Sequence, residues 1–271
     1  MEHDLLRPPL DAAVLRDGLV GPGLGWRRLD VVEQTGSTNA DLLARAATGE
    51  DIDGCVLLAE YQNAGRGRHG RRWSAPPRAQ IAMSVGVNGA SVARSAWGWL
   101  PLATGVAVVD ALAAAAGVSA GLKWPNDVLV NDGKLAGILT EVAAPAPVIV
   151  IGLGLNVTLN AEEAPDPAAT SLLMLGSSMT DRNALVHRIL RELTARIEAW
   201  RTAAGADPEL VTDYQRHSVT LGRRVQATLP GDREVVGVAQ GVDEMGRLQV
   251  DTGAQTVSIS AGDITHLRAA R

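Results

Sequence analysis

The chain is poor in the residues that would cross-link it or hold a metal through sulfur: its 271 residues include one cysteine, Cys55. That excludes an internal disulfide framework and any multi-thiolate metal site, and it fits a reducing compartment. The five histidines, at 3, 69, 187, 217 and 266, show no ligand spacing. No apolar signal core opens the sequence, and the longest uncharged apolar region, Ser95 to Val109, is too short for a membrane span and contains Pro101. These shortages predict a cytoplasmic chain with no membrane partner. Internal repeats and low-complexity linkers are also missing. Lysine is scarce: of 25 basic side chains only Lys123 and Lys134 are lysines, eleven positions apart. Where arginine is used almost everywhere else, two retained ammonium groups point to a task for a compact, movable point charge. Acidic residues are absent between Tyr61 and Val109, although the formal net charge is −5. That net charge argues against bulk affinity for DNA or anionic membrane.

The acid-free window contains Gly65-Arg-Gly-Arg-His-Gly-Arg-Arg-Trp73, four arginines and one histidine among three glycines. Glycine permits backbone conformations closed to other residues, and the guanidinium fork matches carboxylate and phosphate oxygens. The stretch predicts an anion site.

The other elements follow from periodicity and punctuation. Leu10, Val14, Leu15 and Leu19 recur at helical spacing behind Pro8-Pro9, and a strand is expected near Leu29 to Glu33. Ser37-Thr38-Asn39 then reads either as the cap of a helix carrying Leu42, Leu43 and Ala46 or as a polar ligand contact. Strands are predicted over Val56 to Glu60 and, by alternation, Ile81 to Val87. A small-residue helix spans about Trp97 to Ala116, with Gly117 as its stop. Lys123-Trp124-Pro125-Asn126-Asp127 precedes a hairpin, Val128 to Val130 and Leu135 to Val142, turning at Asn131-Asp132-Gly133, which places both lysines near one sheet edge. Val148 to Val157 adds a strand in which Gly152 and Gly154 permit close approach of a ligand or serve packing alone. Asp181 and Asp207 begin further helices. From Val219 short strands alternate with turns, including those at Pro230 to Asp232 and at Gly262-Asp263, which predicts a small antiparallel barrel.

Gly65-x-Gly67-x-x-Gly70 has the spacing of a dinucleotide fingerprint, but Arg71 to Pro77 is unsuited to open a helix and no acid follows before Asp110. A P-loop fails too, because Arg71-Arg72 stands where Lys and Ser/Thr are needed. The loop reads instead as a clamp that orders around an anion.

Gln62 with the Gly65 to Gly70 run, then Lys123-Trp-Pro-Asn-Asp127, then Lys134-Leu-Ala-Gly-Ile-Leu139, with Ser37-Thr38-Asn39 upstream, resembles the biotin protein ligase family over about residues 29 to 271. The resemblance implies an α+β fold: a mixed β-sheet flanked by helices, similar to class II aminoacyl-tRNA synthetases and lipoate ligases, followed by an SH3-like barrel. It divides the chain into an N-terminal helix and arm (1–28), a catalytic domain that binds biotin and ATP (29–218) and the barrel (219–271). The implied reaction makes biotinyl-5′-AMP from biotin and ATP with Mg2+, then passes biotin to a lysine of a biotin carboxyl carrier domain. Lys123, Arg66 and Arg68 are the implied catalytic residues. Ser37, Thr38, Asn39, Gln62, Gly65, Arg66, Gly67, Arg68, Lys123, Gly152 and Gly154 are implied at biotin, and Arg68, Arg71, Trp73, Lys134 and Asn156 at the nucleotide. Trp73 reads equally as core, and Asp127 as a base, a magnesium ligand or a turn residue. The metal ligands stay unassigned. His69 stands where other members often have arginine. Repressors of the family carry an N-terminal DNA-binding domain, for which the residues before Leu29 offer too little chain. A ligase without operator binding, with the monomer favoured, is therefore expected. A lipoate or octanoate ligase of the same fold and a non-enzymatic anion or nucleic-acid module are the alternatives.

Overall fold

A computed structural model describes residues 7–144, 147–231 and 233–267. The predicted turn at Pro230 to Asp232 ends on a residue outside them, as does His3. Seven strands form the main sheet: β1 (Arg28–Thr35), β2 (Cys55–Gln62), β3 (Gln80–Asn88), β4 (Gly121–Lys123), β5 (Asp127–Val130), β6 (Gly133–Ala143) and β7 (Val148–Asn156), in the order β1-β2-β3-β7-β6-β5-β4. Only β1 and β2 run parallel; every other pairing is antiparallel, so the sheet is mixed. The β5–β6 turn has Asn131 at φ 50 and Asp132 at φ 65, the positive pair a tight hairpin requires.

β3 alternates, but between large and small residues and not between buried and exposed ones. Ile81, Met83, Val85 and Val87 enter the main core, whereas Ala82, Ser84 and Gly86 stay small on the other face, and a Cβ on Gly86 would lie 2.0 Å from Ile52 O. That second face is covered by α2 (Thr38–Ala47), whose Leu42 and Ala46 pack with Leu57 and Val150. Ser37 caps α2 by accepting from Ala40 N.

The main core lies under α3 (Leu100–Ala116) and α4 (Arg182–Thr202). A 3-10 turn over Arg94–Trp99 leads into α3, and the combined stretch Arg94–Ala116 is long and apolar enough to cross a membrane, with a mean hydropathy of 1.6 in its most apolar window. This corrects the expectation that no such run exists. The window is 67% buried within the protein's own fold, as suits a core helix. Gly117 ends α3 at φ 62 in the left-handed region, its N donating to Ala113 O at 3.2 Å as in an αL cap. Asp181 and Asp207 cap α4 and α5 (Pro208–His217).

The N-terminal α1 (Ala12–Leu19) is capped by Asp11 and buries Leu15 and Leu19, with Leu10 ahead of it. Val14 faces out at 59% exposure, because the phase set by Asp11 turns it away from the core. Leading into α1, Arg7 donates to Thr158 O and ion-pairs with Glu163, while Arg182 donates to Pro8 O at 2.6 Å and pairs with buried Glu60.

The C-terminal sheet runs β11-β10-β9-β8-β12, all antiparallel: β8 (Arg224–Leu229), β9 (Arg233–Val242), β10 (Leu248–Asp251), β11 (Thr256–Ile259) and β12 (Asp263–His266). Its 243–246 turn docks on the part of the chain that carries the main sheet, where Trp99 Nε1 donates to Asp243 O at 2.9 Å and Trp124 Nε1 to Gly246 O at 3.1 Å.

Candidate active site

The parallel entry of β1 and β2 delivers Ser37, Thr38, Asn39 and Gln62 to one end of the sheet, and the β4–β5 corner and β6–β7 bring up the opposite wall. Between them lies a cavity of ≈ 470 Å³ that these residues share with Arg66, Gly67, Arg68, Arg71, Trp73, Lys123, Lys134, Gly152, Gly154 and Asn156. Gly65 alone of the implied residues does not line it; it lines a second space, together with Arg66, Gly67, Arg68 and Arg71.

The polar turn is fully wired. Thr38 donates through its backbone N to Gln62 Oε1 at 2.8 Å, and its hydroxyl lies 2.7 Å from Ser84 Oγ. Ser84 donates to Asn39 Oδ1, and Asn39 Nδ2 donates to Glu141 Oε2 at 2.9 Å. Ser37 both caps α2 and lines the cavity, so the two readings of this turn coexist.

The arginine loop is a closed hairpin. Arg66 and Arg72 pair as an antiparallel bridge, Gly67 N donates to Arg71 O at 2.7 Å, and Trp73 N donates to Gly65 O at 3.0 Å. No α-helix follows Gly70, which agrees with rejecting the dinucleotide fingerprint. His69 adopts φ 55 at the tip, a conformation that histidine visits more readily than most side chains. Each arginine has its own acceptor: Arg66 lies 3.7 Å from Glu141, Arg68 donates to Asn126 Oδ1 and Gly262 O, Arg71 pairs with Asp263, and Arg72 donates to Asn63 O. Burial pulls the Arg68 guanidinium below its usual range, with Asp263 and Asp127 opposing.

Three glycines do something other than admit a ligand. A Cβ on Gly65 would sit 2.4 Å from Trp73 O, one on Gly152 2.3 Å from Asn39 Oδ1, and one on Gly154 2.3 Å from Trp73 Nε1. The space they leave is occupied by the loop's own backbone, the polar turn and an indole. Trp73 therefore lies across Gly154, donating to Gln80 Oε1 at 2.5 Å, with Lys134 Nζ 5.6 Å from its ring centroid. Asn156 is turned to Thr170 O. Lys134 Nζ is 2.7 Å from Asp127 Oδ1, at an angle that makes an ion pair but no hydrogen bond. Lys123 differs from all of these: it lines the cavity, and its ammonium donates to no group among the described residues.

Sequence reasoning passed over Ser84, Glu141, Gly262 and Asp263. The last two read only as a turn, yet they join the barrel to the arginine loop, and Asp263, Ile264 and Thr265 line the cavity.

Residues 31–156 match the Biotin/lipoate A/B protein ligase family, and residues 220–267 match the Biotin protein ligase C terminal domain. The Biotin--[acetyl-CoA-carboxylase] ligase of Mycobacterium tuberculosis is 59% identical over 270 residues, covering 98% of this chain and 99% of that protein. The chain belongs to the biotin protein ligase family. Its activity is that of the family, ligation of biotin to protein, and a carrier of a biotin-dependent carboxylase is the partner this implies. The bifunctional ligase/repressor of Escherichia coli is 34% identical over 219 residues, covering 79% of this chain and 66% of its own length. Biotin protein ligase from Aquifex aeolicus in complex with biotin and ATP shares the fold, with a TM-score of 0.75 at 24% identity over 90% of this chain and 100% of that one.

Proposed function

We propose that Lys123 carries the first half-reaction, bridging the biotin carboxylate and the α-phosphate of ATP. A carboxylate oxygen attacks the α-phosphorus, the bond to the β-phosphate bridging oxygen breaks, and pyrophosphate leaves. Two anions must meet, so a cation held in place and aimed at both lowers the barrier without reorganising. The observation that carries this reading is the uncommitted Lys123 ammonium, set between a wired polar turn and an arginine hairpin. Thr38, Asn39 and Gln62 hold the biotin head group beside Ser37, Gly152 and Gly154. Arg66, Arg68 and Arg71 exchange their present acceptors for ligand oxygens and keep water from the mixed anhydride, with Gly65 and Gly67 shaping the hairpin. Trp73, Lys134 and Asn156 face the nucleotide. In the second half-reaction the acceptor lysine's amine, after losing a proton, attacks the biotinyl carbonyl carbon and AMP departs.

Magnesium is bound largely through substrate phosphates in sites of this kind. Among the described residues no group of three His, Cys, Asp or Glu forms a cage for it. Asp127, whose buried Oδ1 accepts no hydrogen bond, fits as the carboxylate that would help hold it, where it would offset phosphate charge.

Exchange of labelled pyrophosphate into ATP without any carrier protein tests the reading. It should require biotin; dependence on octanoate or lipoate instead would reassign the substrate, and salt-sensitive nucleic-acid binding with no exchange would end the enzyme reading. We further propose a cytoplasmic, monomeric ligase that does not read DNA. Sedimentation as a dimer with biotinyl-AMP bound, or a biotin-dependent footprint at physiological salt, would contradict that.

A further inference from the structure

The strand that ends on Lys123 is braced by the junction between the two domains. A Cβ on Gly121 would lie 2.3 Å from Val219 Cγ1, so the 217–220 segment runs directly against β4. Val219 N donates to Leu122 O at 2.9 Å, and Trp124 N donates to Thr220 Oγ1 at 3.1 Å. Lys123 thus has a fixed peptide on either side. Thr220 is fully buried, and its hydroxyl, already accepting from Trp124, has one proton to give. On β12 of the barrel, His266 Nε2 lies 3.2 Å away and can accept that proton only when it is itself unprotonated.

We propose that Thr220 and His266 are positioning residues for Lys123, transmitting the placement of the barrel strand β12 to the peptide beside the reactive ammonium. The inference rests on the role assigned to Lys123 above. The charged groups around His266 act in one main direction. Burial draws its imidazole below the usual range, Lys123 on β4 and Arg223 before β8 do the same, and Asp132 of the β5–β6 turn opposes them. Near neutral pH the imidazole is therefore uncharged, and in the tautomer that leaves Nε2 bare it accepts the Thr220 proton. Acidification adds a second cation near Lys123 and removes that acceptor, so the rate should fall on the acid side.

Biotin-dependent pyrophosphate exchange on the full chain reads this out. Thr220→Val keeps the shape and loses the hydroxyl. It is expected to lower kcat about tenfold or more while the KM for biotin stays within about twofold, and Thr220→Ser should recover most of the loss. His266→Gln keeps a hydrogen-bonding side chain that cannot titrate. Whatever its rate at neutral pH, its kcat profile should lack the fall that the unsubstituted chain shows on the acid side of the usual imidazole range. A Thr220→Val chain with unaltered kcat, or an acid limb unchanged in His266→Gln, overturns the proposal. Should Thr220→Val not fold, the His266→Gln profile decides alone. Absence of exchange in the unsubstituted chain would instead overturn the role given to Lys123, so the two failures are distinguishable.

Discussion

Lys123→Ala is expected to slow biotin-dependent pyrophosphate exchange by about a hundred- to a thousandfold, ~3–4 kcal/mol at the transition state. The midpoint of urea unfolding should hardly move, since the Lys123 ammonium makes no hydrogen bond or ion pair among the described residues. The bridging charge is needed most where the two anions share electron density, so the loss should appear in kcat more than in the KM for biotin. Lys123→Arg should rescue poorly, because a planar guanidinium cannot occupy the point where the carboxylate and phosphate converge. A rate within about tenfold of normal in Lys123→Ala would contradict the assignment.

Arg182→Ala should have the largest effect on stability, about 3–5 kcal/mol, out of the ~5–15 kcal/mol by which domains are usually held. The Arg182–Glu60 pair is 2.6 Å long with side chains only 4% and 3% exposed. Removing the guanidinium strands the Glu60 carboxylate in the core with only Leu10 N still donating to it, and it also frees the Pro8 carbonyl. Urea unfolding measures the loss. The double change Arg182→Met with Glu60→Leu should recover much of it, since two well-packed apolar side chains avoid the desolvation cost that the ions incur. A single-variant loss under about 1 kcal/mol would show that the pair is not holding the N-terminal segment against β2.

The contrast between these two residues shows how much could be read from sequence. Lys123 stood out because its neighbours carry a motif and because lysine is so rare here. The helices beginning at Asp181 and Asp207 and the stop at Gly117 were legible because caps act within a few residues of themselves. Glu60 and Arg182 are 122 positions apart, and no local pattern marks either one. The same holds for Asp263, which looks like any turn acid until folding sets it against Arg71. Gly152 and Gly154 were legible as places of close approach, but their occupants were not. Asn39 and Trp73 arrive from elsewhere in the chain, and which group fills a vacant Cβ position is a property of tertiary packing. Alternation in β3 was visible, whereas the burial of both its faces depended on α2 covering the second one.

Trp73 gives the cavity an optical reporter of its own. Trp26, Trp99, Trp124 and Trp200 are at most 3% exposed, and half-buried Trp97 lies outside the cavity. Trp73 instead rests in the cavity wall beneath the Lys134 ammonium, where an arriving nucleotide must either stack on the indole or draw that ammonium away. Either event changes the polarity and charge around the half-buried Trp73 indole far more than around Trp124, which also lines the cavity but is only 2% exposed. Intrinsic fluorescence should therefore follow nucleotide binding without any attached dye, and Trp73→Phe should silence most of that signal while the remaining tryptophans keep theirs.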